Sequence, residues 1–199
     1  MLLHQLLKGK SIVLASQSPR RQQLLGELGL PFEVRLNGEG DETYPHDLHY
    51  LEIPVFLARK KAEPYKPTLA SNEILITSDT LVWCNGEILG KPADRQNAIE
   101  MLQALSGNMH TVVTGVALTH NGKDYAFSSL TDVYFRHLSD EEIAYYVDTY
   151  KPFDKAGAYG IQEWIGYVGV ERIDGSYFNV MGLPVQKLYS ELIALLKDA

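Results

Sequence analysis

The sequence has a single cysteine, Cys84, among its 199 residues, so the chain cannot form an internal disulfide. A chain without disulfides is typical of a reducing compartment, and we therefore expect a cytoplasmic protein. Cys84 follows the apolar residues Leu81, Val82 and Trp83, which favours a buried structural thiol over a nucleophile. No stretch approaches the roughly 18 apolar residues of a membrane-spanning helix. The first residues are too polar and too few for a signal peptide, so we expect no membrane partner.

Several motifs of nucleotide and metal sites are also missing. The sequence contains neither a G-x-x-x-x-G-K-[ST] phosphate loop nor a G-x-G-x-x-G dinucleotide fingerprint. It has no H-E-x-x-H pair, and its six histidines lack the spacing of zinc ligands. No G-x-S-x-G elbow supports a Ser-His-Asp triad. A triad built from residues far apart in the sequence remains an open alternative. His110 precedes a β-rich run and is interpreted as structural rather than catalytic.

Excess positive charge is absent as well. The formal net charge is −7, from 18 basic and 25 acidic residues. Nucleic-acid-binding surfaces are usually basic, so we expect no nucleic-acid partner. An anionic ligand would therefore need a local cluster of cations, and the acidic excess offers ligands for a divalent cation.

The pattern of apolar residues predicts one α/β domain over residues 1–199, with a mixed sheet, hairpins and flanking helices. The predicted strands are 12–15, 32–36, 74–83, 87–89, 110–120, 123–136 and 167–173. The first predicted helix begins at Pro19 and stops by Gly29. The other predicted helices cover about 54–65, 95–105, 140–150 and 185–196. Residues 37–47 are predicted to form a loop. The pairs Asn85-Gly86 and Asn121-Gly122 predict two hairpin turns.

An anion site is predicted where the first strand meets the first helix. Ser16 and Ser18 follow the strand, Ser18 suits a helix N-cap, and Pro19 suits the first helical position. Arg20 and Arg21 come next, although arginines at a helix start oppose the macrodipole. Backbone N–H groups and two guanidinium groups together favour a phosphate ligand. An ordinary strand–helix connection with two solvated arginines is the open alternative.

Asp79 and Lys91 are two further candidates. Asp79 lies in a strand that is otherwise strongly apolar, so it needs a partner, a metal or an exposed position. It could serve as general base or metal ligand, or it could simply bond a neighbouring turn. Lys91 follows Gly90 at a hairpin end, where it could reach a phosphate or remain a surface lysine.

The chain resembles the Maf family of nucleotide pyrophosphatases over nearly its whole length. The resemblance rests on seven ordered segments: LASQSPRR (14–21), LARKKA (57–62), SDT (78–80), LGKP (89–92), MLQALSG (101–107, with His110 beyond it), DKAGAYGIQ (154–162) and NVMGLP (179–184).

This resemblance implies a Maf/ITPase-like fold with two lobes around a cleft, and a homodimer as a family-level expectation. It also implies hydrolysis of nucleoside triphosphates between the α and β phosphates, with Mg²⁺ or Mn²⁺ as cofactor. The form of the sixth segment is similar to the branch that prefers dTTP and UTP, with modified nucleotides as further substrates. The activity would be house-cleaning of the nucleotide pool.

The family's site residues are carried over by position. Asp79 matches the proposed proton acceptor and metal ligand, and Glu42 resembles a second acidic position near the metal. The residues matched to substrate binding are Ser16, Ser18, Arg20, Arg21, Lys61, Thr80, Lys91 and Gln162. Three of these, Arg21, Thr80 and Gln162, match positions linked to substrate choice, and the Gln162 amide could pair with the imide edge of uracil or thymine.

The chain departs from the family at Glu163-Trp164, where glycine is common, and in the glycine-rich segment before Glu42. Both departures concern the shape of the base pocket. A second hypothesis is a nucleotide-binding regulator of cell division with little catalysis. Release of pyrophosphate and UMP from UTP would favour the enzyme over the regulator.

Overall fold

The computed structural model describes residues 2–37 and 42–197. The predicted loop residues 38–41 lie outside the described part of the chain. The strands are β1 (Ser11–Leu14), β2 (Phe32–Val34), β3 (Glu73–Cys84), β4 (Glu87–Leu89), β5 (Met109–His120), β6 (Lys123–Phe135) and β7 (Val170–Gly175). The helices are α1 (Leu3–Leu6), α2 (Pro19–Gly26), α3 (Ile53–Ala62), α4 (Arg95–Leu105), α5 (Asp140–Tyr150), α6 (Trp164–Gly169), α7 (Tyr177–Met181) and α8 (Val185–Lys197). Short 3₁₀ helices cover Glu63–Thr68 and Ala156–Ala158.

The strands form one mixed sheet in the order β2-β1-β3-β5-β6-β7, with β4 paired to β3. β1 runs parallel to both β2 and β3, whereas β4 and β7 are antiparallel to their partners. The crossover β1-α2-β2 places α2 beside the sheet, as parallel neighbours require. The predicted mixed α/β fold with hairpins is confirmed.

The chain divides into two compact units, each with a core of its own. The first comprises the described residues of Met1–Asp79, Thr114–Ser129 and Gly182–Ala199. In its core, Val13 and Leu75 of neighbouring strands pack with Ala62 and Tyr65. Along α8, Leu188, Leu192 and Leu195 recur at helical spacing and are all buried, which explains why this segment is helical.

The second unit comprises Thr80–Val113 and Leu130–Met181. α4 contributes Ala98, Leu102 and Leu105 to its core, and α5 contributes Ile143, Tyr146 and Val147. The predicted boundaries of both helices are confirmed. Their starts could be located in the sequence because both helices carry side-chain N-caps. Asp94 accepts the backbone N–H of Asn97 at 2.8 Å, and Ser139 forms a capping box with Glu142.

Both predicted hairpin turns are confirmed by the backbone. Asn85 and Gly86 have φ angles of 51° and 89°, and Asn121 and Gly122 have 51° and 70°. Two successive positive φ values are characteristic of a type I′ turn, which suits the twist of an antiparallel pair.

The predicted strand at 167–173 is wrong in its first half. Tyr167 belongs to α6, and β7 begins only at Val170. The pattern from Tyr167 to Ile173 predicts an extended segment. However, a Cβ on Gly166 would lie 1.8 Å from the carbonyl oxygen of Ile161. This glycine lets the chain fold back tightly on the preceding loop, so a tertiary contact overrides the local pattern.

Cys84 is buried at the end of β3, as predicted. Its thiol lies 3.6 Å from the carbonyl oxygen of Ala104, and burial raises the pKa of the thiol. Throughout the described residues, no helix combines the length and apolar character needed to cross a bilayer.

Candidate active site

A lysine bridges two carboxylates at the end of α3. Lys61 Nζ donates to Asp79 Oδ1 at 2.5 Å and to Glu42 Oε1 at 3.0 Å. The Asp79 side chain is 13% exposed and that of Lys61 19%, whereas Glu42 is 51% exposed. Three residues that the resemblance implied for the site are therefore joined directly by charge-assisted hydrogen bonds.

The first unit fixes α3 against the sheet at two points, one at the start of the helix and one near its middle. Gly115 of β5 packs so closely that an added Cβ would lie 2.2 Å from the carbonyl carbon of Pro54. Further along, Thr77 Oγ1 of β3 donates to the carbonyl oxygen of Ala58 at 2.6 Å. Residues alternate between the two faces of a strand, so Asp79 points to the same face as Thr77. Lys61 lies one helical turn beyond Ala58 and therefore reaches Asp79.

The turn from β1 into α2 has the predicted capped geometry. Ser18 Oγ accepts the backbone N–H of Arg21 at 3.4 Å, and Pro19 occupies the first turn. Ser16 is buried, and its Oγ accepts the backbone N–H of Ser18 at 3.2 Å. Gln22 Nε2 donates to the carbonyl oxygen of Ser16 at 3.0 Å, so the turn is held from both sides.

Arg21 is half-buried, and two backbone carbonyl oxygens hold its guanidinium group. Its Nε donates to the carbonyl oxygen of Gly182 and its Nη1 to that of Ser78, both at 2.9 Å. Burial lowers the pKa of Arg21, and the charge of Asp79 acts in the opposite direction. The neighbouring Arg20 lowers this pKa further, as expected for two adjacent guanidinium groups. Arg21 is thus not a purely solvated side chain, and the binding of phosphate at this turn stays a prediction.

A contact that the sequence did not predict holds the chain next to Glu42. Lys60 Nζ donates to both the carbonyl oxygen and Oγ1 of Thr43, at 2.8 Å each. Consecutive lysines of α3 therefore bind consecutive residues of one loop, Lys60 at Thr43 and Lys61 at Glu42. The motif LARKKA was the available signal, but it does not reveal the partner of its first lysine.

The remaining candidates, Thr80, Lys91 and Gln162, belong to the second unit. Lys91 is exposed and follows Gly90, whose carbonyl oxygen accepts the backbone N–H of Gly157 at 3.1 Å. This bond ties the Lys91 loop to the segment that leads to Gln162. Gln162 Oε1 is buried and has no hydrogen-bond partner among the described residues. A buried, unpaired amide oxygen is costly unless a ligand satisfies it.

His110 has the structural character predicted for it. It is buried, its Nε2 lies 2.7 Å from the hydroxyl oxygen of Tyr159, and its ring packs edge-on against Phe135. Burial lowers the pKa of His110 to about 3. The imidazole is therefore neutral at physiological pH and anchors the segment before Gln162.

This buried histidine should make stability fall in mild acid. The unfolded-state pKa is near 6.5, so between about pH 6.5 and 3 the unfolded chain binds the extra proton. The contribution of neutral His110 to the free energy of unfolding is fully present above pH 6.5. About 2 kcal/mol of that free energy should be lost between pH 7 and 5. Urea unfolding of the wild type and His110→Gln across this range would measure it. If the free energy of unfolding fell equally with pH in both proteins, His110 would not be the group responsible.

The carboxylates of Glu42 and Asp79 suit a divalent cation that takes its other ligands from water and a bound phosphate. Within residues 2–37 and 42–197, no group of three or more His, Cys, Asp or Glu side chains is placed to hold a metal. Glu42 and Asp79 nevertheless offer two carboxylates linked through one lysine. Mg²⁺ usually takes one or two carboxylates and completes its octahedron with water and phosphate oxygens. The residues present therefore fit Mg²⁺.

A mixed α/β fold with a Lys-bridged carboxylate pair and an arginine-bearing helix start has the parts of a phosphoryl-transfer site. The family model described as Maf-like protein matches residues 11–195. The chain therefore belongs to the Maf family, which confirms the resemblance seen in its seven motifs.

Curated relatives match almost the full chain. A dTTP/UTP pyrophosphatase of Parabacteroides distasonis is 58% identical over 186 residues, covering 94% of this chain and 96% of the relative. A dTTP/UTP pyrophosphatase of Bacteroides fragilis is 58% identical over 181 residues, covering 91% and 94%. Among solved structures, a HAM1 protein from Coxiella burnetii is 16% identical with a TM-score of 0.47, covering 93% of this chain and 99% of that one.

Proposed function

We propose that this protein is a pyrophosphatase of dTTP and UTP, which hydrolyses them to the nucleoside monophosphate and pyrophosphate. The bridge of Glu42, Lys61 and Asp79 carries this conclusion, because it places a carboxylate and a cation at one point. Relatives at 58% identity are named for the same activity. The alternative of a regulator without catalysis is not favoured, since those names describe catalysis.

In the proposed reaction, a water oxygen attacks the α-phosphorus while the bond from that phosphorus to the bridging oxygen breaks. The water proton passes to the Asp79 carboxylate, and pyrophosphate leaves. Asp79 Oδ1 already accepts from Lys61, so Oδ2 is the oxygen we assign to the water. General-base help of this kind contributes on the order of 10²–10⁴ in rate.

We assign the cationic side chains to the phosphates. Lys61 joins the acidic pair to the triphosphate, while Arg20 and Arg21 bind phosphate oxygens at the start of α2. Arg21 is already oriented by two carbonyl oxygens, so its guanidinium loses little freedom on binding. Ser16 and Ser18 shape the same turn, and Lys91 supplies a further positive charge to the phosphates.

We assign Glu42 and Asp79 to a Mg²⁺ or Mn²⁺ ion. When bound, the metal would neutralise phosphate charge and polarise the phosphoryl group. The lysine bridge supports this assignment, because it shows that both carboxylates lie within 3.0 Å of a single cationic atom. Since the Lys61 ammonium would repel the ion, its side chain would turn toward the phosphates when the metal binds.

Base recognition is assigned to Thr80 and Gln162. The unpaired Oε1 of Gln162 supports this role, because uracil and thymine both present an N3–H donor. We further propose that residues 1–199 act as one catalytic domain in the cytoplasm, as a homodimer and without nucleic acid.

The decisive test is product analysis. With Mg²⁺, purified protein should convert UTP and dTTP to the monophosphate and pyrophosphate, read by chromatography and a pyrophosphate-coupled assay. Removing divalent cations with EDTA should abolish turnover, and Mg²⁺ or Mn²⁺ should restore it. Tight UTP binding without pyrophosphate release would favour the regulator and overturn the proposal.

A further inference from the structure

A partly buried polar network surrounds the segment that carries Gln162. The Glu163 carboxylate accepts the hydroxyl proton of Tyr146 at Oε2 and lies 3.2 Å from Lys155 Nζ at Oε1. Tyr146 also accepts the backbone N–H of Gly160 at 3.0 Å. Lys155 is buried and donates to Asp154 Oδ1 at 2.7 Å. Glu163 is therefore fixed from α5 and from the 154–155 loop.

Gly160 shows where the Gln162 amide lies. A Cβ added to Gly160 would lie 2.9 Å from Glu163 Cδ, 3.1 Å from Glu163 Oε2 and 3.2 Å from Gln162 Nε2. The Glu163 carboxylate and the amide nitrogen of Gln162 thus converge above the same backbone atom. The amide oxygen, Gln162 Oε1, is farther from that point, and it is the atom buried without a partner among the described residues.

This arrangement gives the amide an electrostatic reason to keep one orientation. An amide can rotate by half a turn and exchange its oxygen and nitrogen at little steric cost. A fixed carboxylate attracts the NH₂ end and repels the oxygen. Rotation would move the oxygen toward Glu163, so the observed orientation, with the oxygen turned away, is favoured.

We propose that Glu163 is a positioning residue that orients the Gln162 amide, so that Oε1 accepts from a base carrying N3–H. Uracil and thymine provide this donor, whereas cytosine presents a lone pair at N3 and would meet the amide oxygen unfavourably. The inference rests on the proposed function, because it concerns the base of the same substrate. Glu163 is also one of the positions at which this sequence departs from the motif pattern, so the charge beside the amide is a feature of this chain.

The test is the ratio of kcat/KM for UTP to kcat/KM for CTP. Glu163→Gln keeps the size of the side chain and removes its charge, so the UTP/CTP ratio should fall about tenfold, equivalent to about 1.4 kcal/mol. A merely structural defect would lower both activities together and leave the ratio unchanged. Glu163→Ala provides a second uncharged side chain if Glu163→Gln does not fold, with the melting temperature as the check on folding.

Tyr146→Phe is the matched control. It removes the hydroxyl that donates to the same carboxylate but leaves the charge, so it should lower the melting temperature while the ratio stays within about twofold of the wild-type value. A ratio unchanged in the uncharged variants would overturn the inference, as would an equal loss in Tyr146→Phe. If the wild type releases no pyrophosphate from UTP, the proposed function itself fails, which is a different result from active enzymes with equal ratios.

Discussion

Replacing Asp79 by asparagine should lower kcat for UTP by about 10²–10⁴, because the amide cannot accept the water proton. The substitution keeps the size of the side chain, and its remaining carbonyl oxygen could still accept from Lys61. Stability should therefore change little, and nucleotide binding should persist. Steady-state pyrophosphate release and calorimetric binding of UTP would separate the two effects.

The chain contains a matched control for this substitution. Asp124 pairs with Lys66 in the same unit, and it also accepts from Thr119 Oγ1 at 2.7 Å. Asp124→Asn therefore disrupts another lysine–aspartate pair, but one that we assign no role in the reaction. It should retain nearly full activity. If both variants lost activity equally, or if Asp79→Asn retained it, the assignment of Asp79 as proton acceptor would be wrong.

Gly115→Ala should cause a large loss of stability, about 3 kcal/mol, since the added methyl group would overlap the backbone of α3. The clash at 2.2 Å from the Pro54 carbonyl carbon and 2.3 Å from the Val55 nitrogen involves backbone atoms, which cannot rotate away. For a chain of this length the melting temperature should fall by about 6–12 °C. Activity should fall as well, because α3 carries Lys61.

Gly26→Ala is the appropriate comparison for Gly115→Ala. Gly26 ends α2, and the nearest atom to an added Cβ is 3.8 Å away, on the Phe32 ring. Alanine favours the helix over glycine, so this variant should be neutral or stabilised by up to about 1 kcal/mol. A melting temperature of Gly115→Ala equal to that of the wild type would show that α3 can shift without cost.

Local signals predicted those elements whose ends are set by nearby residues. The N-caps Ser18, Asp94 and Ser139 and the two Asn-Gly turns act within a few residues along the chain, so the sequence pattern locates them. The start of β7 was misplaced because the fold of Gly166 against Ile161 depends on a close backbone approach. Such an approach is visible only once the chain is folded.

The candidate site was predictable as a set of residues but not as a set of contacts. The motifs LARKKA and SDT identify Lys61 and Asp79 as candidates, yet these residues are 18 positions apart and nothing in the intervening sequence signals that they pair. The same holds for Lys60 and Thr43, 17 positions apart. The network of Tyr146, Lys155 and Glu163 depends on packing of α5 against a loop, which periodicity does not describe.

The buried thiol of Cys84 makes the protein convenient for site-directed labelling. The sequence contains no other cysteine, and burial together with a raised pKa keeps this thiol protonated and shielded from maleimides. A cysteine introduced on the surface of each unit would therefore carry the label without removal of the native one. Pairs of spin labels could then report distances between the units with and without nucleotide, against a native background that stays unlabelled.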